Sequence, residues 1–285
     1  MKKKRGKLPK RIIALIVFGS IVIFLAAAYG FMELAFTLAD RIVCWAPDYE
    51  KTDISAILAK EELSDEDYEI LYAQTGLTEK GIDRCRARGA EGKLRAERIQ
   101  RDYFTEHTVA NEKFAPLVCT DRIGSYIQHA YLEPGDIVVT SATHLTGWRI
   151  GHAGLVTGAN GSVLQANAIG DKSALASISD FTSRVNFMIF SVRDEVASES
   201  VKNEVAAYAK ENLLGKVYDP TAGVLSDKNK VDRTQCAHIV WYAWKQFGID
   251  LDSNGGPVVT PKNIANSDKL ELIQVFGFNP QTLWK

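Results

Sequence analysis

Cys236 and His152 are the residues whose type and setting could support nucleophilic chemistry. Cys236 opens an amphipathic stretch with Ile239, Val240, Ala243, Trp244 and Phe247 at its apolar positions. A thiol at a helix N-terminus feels unpaired N–H groups and the positive end of the macrodipole, and both favour the reactive thiolate. The same phase suits a small buried hydrophobe, so position alone leaves both roles open. His152 lies in T-G-W-R-I-G-H-A-G-L-V-T-G, at the mouth of a strand. Gly151, Ala153 and Gly154 leave room around its imidazole for a neighbouring backbone or a substrate, although a lone strand histidine is also a common structural residue. His107, His129 and His144 lack comparable surroundings. His238 follows Cys236 by two residues, about 200° around a regular helix, so the two cannot share a metal. The chain has no H-E-x-x-H and no paired C-x-x-C, and neither a metal site nor a cofactor is expected.

The elements that must hold these residues read as an α+β domain, with strands grouped between helices. Pro134-Gly135 turns into a strand over 136–140, and a second strand runs from Ala153 to Thr157. Ala159-Asn160-Gly161 forms a hairpin turn into a strand over 162–168. Another strand is expected over 185–193. A helix over 198–214, with Val201, Val205, Tyr208 and Ala209 on one face, stops at Gly215. The Cys236 helix stops at Gly248, and Thr260-Pro261 begins a short final helix. Upstream, 52–105 reads as helical. Ser64 starts a capping box closed by Gly76, and Thr78 caps a helix running towards Phe104 with an interruption near 89–92. Six arginines there invite a DNA reading. They alternate with Glu91, Glu97 and Asp102, as on a solvated face.

The chain has 285 residues, 46% hydrophobic and 24% charged, which excludes wholesale disorder and a polytopic membrane protein. Its net charge of −1 hides an asymmetry. Residues 1–11 carry seven cations and no acid, leaving the rest at −8, so nucleic acid is not an expected partner. Ile12 to Met32 contains no charged residue, and a helix of that length spans a bilayer core of ~30 Å. A cleaved signal peptide ending near Ala26-Ala27-Ala28 is one reading. An uncleaved anchor over 12–38 fits better, because apolar character resumes at Leu34, Phe36 and Leu38. The basic head at 1–11 places the N-terminus in the cytoplasm and the remainder outside. No lipoprotein box precedes Cys44, which follows Arg41-Ile42-Val43. Cys44, Cys85 and Cys119 could supply one disulfide, of a pairing that spacing does not define.

The runs P-G-D-I-V-V, G-H-A-G-L-V-T-G-A-N-G-S-V-L-Q-A, V-Y-D, Q-C-A-H-I-V-W-Y-A-W and V-V-T-P-K-N-I-A-N-S stand in this order. Together they resemble the circularly permuted branch of the NlpC-like, papain-fold cysteine peptidases and amidases, over roughly 132–272. The resemblance implies an antiparallel sheet packed on the cysteine helix, in a hydrolase domain over 132–285. An accessory, mainly helical region at 39–131 would precede it. It implies Cys236 as nucleophile, His152 as base and Gln165 as the residue that orients the imidazole. That branch often carries Glu at the third position, and on this pattern Glu at 165 would preserve or raise activity. Asn167 is the competitor on the same strand face, and a symmetric hairpin about Asn160-Gly161 would bring it nearer to His152. Tyr218 matches an aromatic that lines the site or packs in the core.

Three function classes follow from this reading. The leading one is a membrane-anchored, outward-facing cysteine hydrolase that cleaves an amide, with cell-wall peptide as substrate. The second acts on lipid acyl groups with the same thiol, Trp148, Trp241 and Trp244 lining an apolar cleft. The third is an anchored, inactive interaction module in which Gln165 reflects relaxed requirements. Oligomeric state has no signature in the sequence.

Overall fold

The computed structural model describes residues 9–38, 42–115, 118–145 and 148–284. Residues 1–8 of the basic head, and Arg41 ahead of Cys44, lie outside the described residues. The chain begins with a long helix, α1 (Lys10–Leu38). Four helices follow: α2 (Ser55–Leu58), α3 (Asp65–Thr75), α4 (Glu79–Arg86) and α5 (Gly89–Tyr103). A hairpin, β1 (Val109–Ala115) and β2 (Val118–Ile123), leads to β3 (Ile137–Thr140), β4 (Thr143–Leu145), β5 (His152–Gly158), β6 (Ser162–Gln165) and β7 (Ala174–Ser177). After α6 (Ser179–Thr182) come β8 (Phe187–Val192), α7 (Glu199–Asn212), β9 (Val217–Tyr218) and β10 (Arg233–Thr234). The chain ends with α8 (Cys236–Lys245), α9 (Pro261–Ala265) and β11 (Leu270–Phe276).

The architecture is α+β. Its centre is a six-stranded sheet in the order β11-β8-β3-β5-β6-β7, antiparallel at every pairing. Both faces of this sheet are covered, so β3 and β8 are buried at every residue rather than alternately. On one face Val139, Ala153, Leu155, Leu164 and Phe190 pack with α7 and α8, where Trp241 and Trp244 lie fully in the core. On the other, Val138, Val156, Val163 and Ile189 pack with Phe181 and with Leu71, Ile82 and Ile99 of the upstream helices.

Local rules set several boundaries. Ser64 accepts from the Asp67 N–H, and the Asp67 carboxylate accepts from the Ser64 N–H, a reciprocal cap for α3. Gly76 ends that helix at φ 70°, and a Cβ there would lie 2.2 Å from the Val275 carbonyl oxygen, so the site demands glycine on two counts. Thr78 precedes α4, but its hydroxyl donates to the Leu272 carbonyl instead of capping the helix. Thr260 and Asn263 form a second reciprocal cap, with Pro261 in the first turn of α9.

The helices over 55–103 fall within the stretch read as helical. The β1–β2 hairpin was not anticipated in the mainly helical region at 39–131, and it joins β4 in a separate three-stranded sheet. β11 was also unforeseen. A register shift between Leu272 and Gln274 breaks the alternation that would have announced it. The strand expected over 162–168 ends at Gln165. All four cysteines are free thiols, and all four are buried. Among the described residues, α1 is the one helix long and apolar enough to cross a membrane, and its side chains over that stretch are largely exposed. Glu33 near its C-terminal end pairs with Lys113 of β1 at 2.8 Å.

Candidate active site

β5 delivers His152 as its first residue. Alternation along the strand places His152, Gly154 and Val156 on one face and Ala153 and Leu155 on the face packed by α8. Gly154 has a steric reason: a Cβ there would lie 2.5 Å from Val163 and 2.9 Å from the Phe181 ring. The space it leaves lets Phe181 stack on the imidazole, with centroids 5.2 Å apart and planes at 17°. Gly151 is equally constrained. Its φ is +70°, and a Cβ would lie 2.7 Å from the Thr140 carbonyl oxygen and 2.3 Å from the ring of Trp284, which rests over this entry to the strand. Trp284 had no signal in the sequence reading.

His152 Nε2 lies 2.7 Å from Gln165 Oε1. Asn167 is not part of this contact, being exposed and beyond the end of β6. The pairings Leu155–Leu164 and Val156–Val163, extended along the hairpin, would set His152 opposite Asn167. The chain leaves that ladder after Gln165, whose longer side chain reaches His152 diagonally on the same face.

Asp180, in α6, completes the arrangement and was missed by the sequence reading. Its Oδ2 accepts from Gln165 Nε2 at 3.2 Å and from Arg184 Nη2 at 2.9 Å, and its Oδ1 accepts from Arg122 Nη2 at 2.7 Å. Burial alone would raise its pKa, but Arg184 and Arg122 outweigh that and hold the carboxyl well below the usual range. An ionised carboxylate only accepts hydrogen bonds, so the Gln165 atom facing it is the NH2 group. The other amide atom, Oε1, therefore faces His152 and must receive Nε2–H. The neutral imidazole then carries its lone pair on Nδ1, the nitrogen that can take a proton.

α8 brings Cys236 to the same strand from the other side. Gln235 is the N-cap, its Oε1 accepting from the Ala237 N–H at 2.8 Å and its Nε2 donating to the Val259 carbonyl at 2.5 Å. Cys236 is 7% exposed, and its thiol donates a long hydrogen bond to Gln235 Oε1 at 3.5 Å. The backbone N–H of Ala153 lies near its sulfur, while that of Ala237 is taken by Gln235 Oε1. Tyr218 is close by, since β9 pairs with β10 just ahead of Cys236. Burial first, and then the neighbouring thiol, raise the Tyr218 phenol. Among the described residues no hydrogen bond joins Cys236 to His152. The two flank the first residues of β5, sulfur on the Ala153 side and imidazole on the Phe181 side.

The electrostatics differ from the simple helix-terminus expectation. Burial pushes the Cys236 thiol up, and the N–H groups of Ala153 and Ala237 together with Arg184 offset this only in part. His152 is pushed down to about 3, by burial first and Arg184 second. The resting pair is therefore a neutral thiol and a neutral imidazole. Trp241 and Trp244 form no cleft, being core residues of α8, while Trp148 is 77% exposed. A cavity of about 530 Å³ between α4 and the start of α7 contains none of the residues above. Lys80, Arg84 and Lys202 in its wall are each paired with carboxylates. No residue cluster that could hold a metal occurs among the described residues. No protein-family model, curated protein or solved structure matches the chain.

Proposed function

We propose that the chain is a membrane-anchored cysteine hydrolase with a papain-like catalytic domain that cleaves an amide bond, with cell-wall peptide as substrate. One observation carries the reading: Gln165 holds the His152 imidazole at 2.7 Å on the strand that packs, through Ala153 and Leu155, against the Cys236 helix. A cysteine at a helix start, a histidine with a defined tautomer and an amide that fixes it are the parts nucleophilic catalysis needs.

Because both groups rest neutral, the thiol proton passes to His152 Nδ1 as sulfur attacks the carbonyl carbon. That transfer requires sulfur and Nδ1 to meet past the start of β5, because the two lie on opposite sides of its first residues. The N–H of Ala153, with Arg184, stabilises the negative charge that sulfur acquires. A C–S bond forms, the imidazolium returns its proton to the leaving nitrogen, and the C–N bond breaks. Water then attacks the thioester, releasing the acid and restoring the thiol. The apolar helix α1 supports anchoring, and the basic head supports a cytoplasmic N-terminus with the catalytic domain outside.

The test uses the full chain in detergent, given muropeptides in one assay and short-chain acyl thioesters in another. Amide cleavage that Cys236→Ser abolishes, with the unfolding midpoint preserved, is the expected result. Wild-type hydrolysis by Cys236→Ser would sink the nucleophile assignment. Turnover of thioesters alone would move the chain to acyl chemistry, and turnover of neither would make it an anchored binding module.

A further inference from the structure

The third residue of the proposed triad is a neutral amide, yet a carboxylate stands directly behind it. We propose that Asp180 is a positioning residue for His152, acting through Gln165, so that Gln165 and Asp180 together replace a single carboxylate beside the imidazole. This rests on the Cys236–His152 reading above and adds to it the element that sets the imidazole's tautomer.

The geometry supports a directed chain of hydrogen bonds. Asp180 Oδ2 is 3.2 Å from Gln165 Nε2, and Gln165 Oε1 is 2.7 Å from His152 Nε2. A primary amide has one accepting and one donating end, so anchoring the donor end at a carboxylate commits the acceptor end to the ring. Asp180 is itself held from several directions. Arg122 of β2 takes its Oδ1 at 2.7 Å, and Arg184 takes its Oδ2 at 2.9 Å. Both guanidinium groups also donate to the Asp180 backbone carbonyl, Arg122 at 3.1 Å and Arg184 at 3.0 Å. Arg184 is tied in turn to Thr143 at 2.8 Å, and its guanidinium lies 5.0 Å from the centre of the Phe181 ring that stacks on His152. A carboxylate serving only as an ion-pair partner would not need its oxygen aimed at the Gln165 amide.

The arrangement reverses the expectation that Glu at 165 would preserve or raise activity. Its carboxylate would meet that of Asp180 at the distance now spanned by a hydrogen bond, and one of the two would have to hold a proton. Exchanging the two chemistries together removes the repulsion between carboxylates. In Gln165→Glu/Asp180→Asn the carboxylate touches His152 and the new amide can donate to it from behind, provided Arg184 Nη2, which now donates to the same oxygen of Asp180, turns to the new carboxylate.

The experiment compares wild type, Asp180→Asn, Gln165→Glu and the double variant by three readouts: unfolding midpoint, kcat/KM against pH, and long-range ¹H–¹⁵N spectra of histidine-labelled protein. His152→Gln assigns the His152 signals. Wild type should show His152 protonated at Nε2, and Asp180→Asn should show a substantial Nδ1–H fraction. Each single variant should lose about tenfold in kcat/KM at neutral pH, a part of the ~10²–10⁴-fold that acid–base catalysis supplies. Gln165→Glu should recover partly on mild acidification. The double variant should return to the Nε2–H tautomer and to within about threefold of wild type. If Asp180→Asn folds and keeps the wild-type tautomer and pH profile, Asp180 is only an ion-pair partner and the proposal is overturned. Loss in the double variant equal to the product of the single losses overturns it too. Should Asp180→Asn fail to fold, Gln165→Glu decides: full activity at neutral pH contradicts the proposal. The tautomer needs no turnover, so a failure of the hydrolase reading and a failure of this one remain separable.

Discussion

Acidification from pH 7 to 4.5 should destabilise the fold through His152. The imidazole is 4% exposed, and burial, with Arg184 beside it, pushes its pKa down to about 3 from 6.5. Between those values the unfolded chain binds a proton that the folded chain refuses. Stability is therefore fully present above about pH 6.5 and is lost as pH falls towards about 3. At pH 4.5 the unfolded side chain is ~2 pH units below its pKa, worth about 3 kcal/mol at ~1.36 kcal/mol for each. Such a loss is a large part of the ~5–15 kcal/mol that holds a typical domain together. His129 and His238 are also held down by burial and act in the same direction, so the quantity to measure is a difference. Urea unfolding of the detergent-solubilised chain at pH 7.0, 5.5 and 4.5 would be compared with that of His152→Gln, which cannot titrate there. The wild type should lose about 3 kcal/mol more than the variant over this range. Equal losses would refute the buried neutral imidazole, and with it the neutral resting pair. A second consequence concerns turnover: the acid limb of kcat/KM should follow unfolding rather than a group with a pKa near 6.5.

Gly154→Ala should lower turnover while leaving a folded protein, because the new methyl group meets Val163 and the Phe181 ring and shifts the ring from the imidazole. The cost in stability should be about 1–3 kcal/mol, as for overpacked cores, and wild-type midpoint and turnover together would show that the stack is dispensable. Protease added to intact cells should digest the chain beyond α1 and spare the basic head; a protected C-terminal domain would overturn the outward orientation. Cys236→Ser should keep the unfolding midpoint within about 1 kcal/mol, since the change is near-isosteric, and should eliminate hydrolysis.

The legible parts of this chain were those governed by local chemistry. Ser64 with Asp67, Gly76, Thr260 with Pro261, and the Asn160-Gly161 turn all sit where capping and turn rules put them. Elements whose signal depends on distant partners escaped. β11 hides its alternation behind a register shift, and β1–β2 are stabilised by β4, which follows them by some twenty residues. For the thiol, the apolar phase of α8 allows burial, while the N–H groups at the helix terminus favour the thiolate. Burial between α8 and β5 outweighs that effect, and burial is a property of the folded sheet rather than of any short stretch.

The choice between Gln165 and Asn167 shows how a sound local argument can select the wrong partner. The hairpin carries a register shift between Val156 and Gly158, and its ladder extended two residues past Gln165 does place Asn167 across from His152. What the register leaves out is where pairing stops. β7 takes up Gln165 opposite Ala174, and the chain then turns away so that Asn167 faces solvent. A diagonal partner must span more than a directly opposed one, which favours the longer amide. The longer side chain also meets a need that Asn167 could not serve from its exposed position. Its far end has to reach both the imidazole and the carboxylate of Asp180, which arrives on a separate helix fifteen residues later. Selection of Gln165 over Asn167 is thus made by α6 as much as by the hairpin.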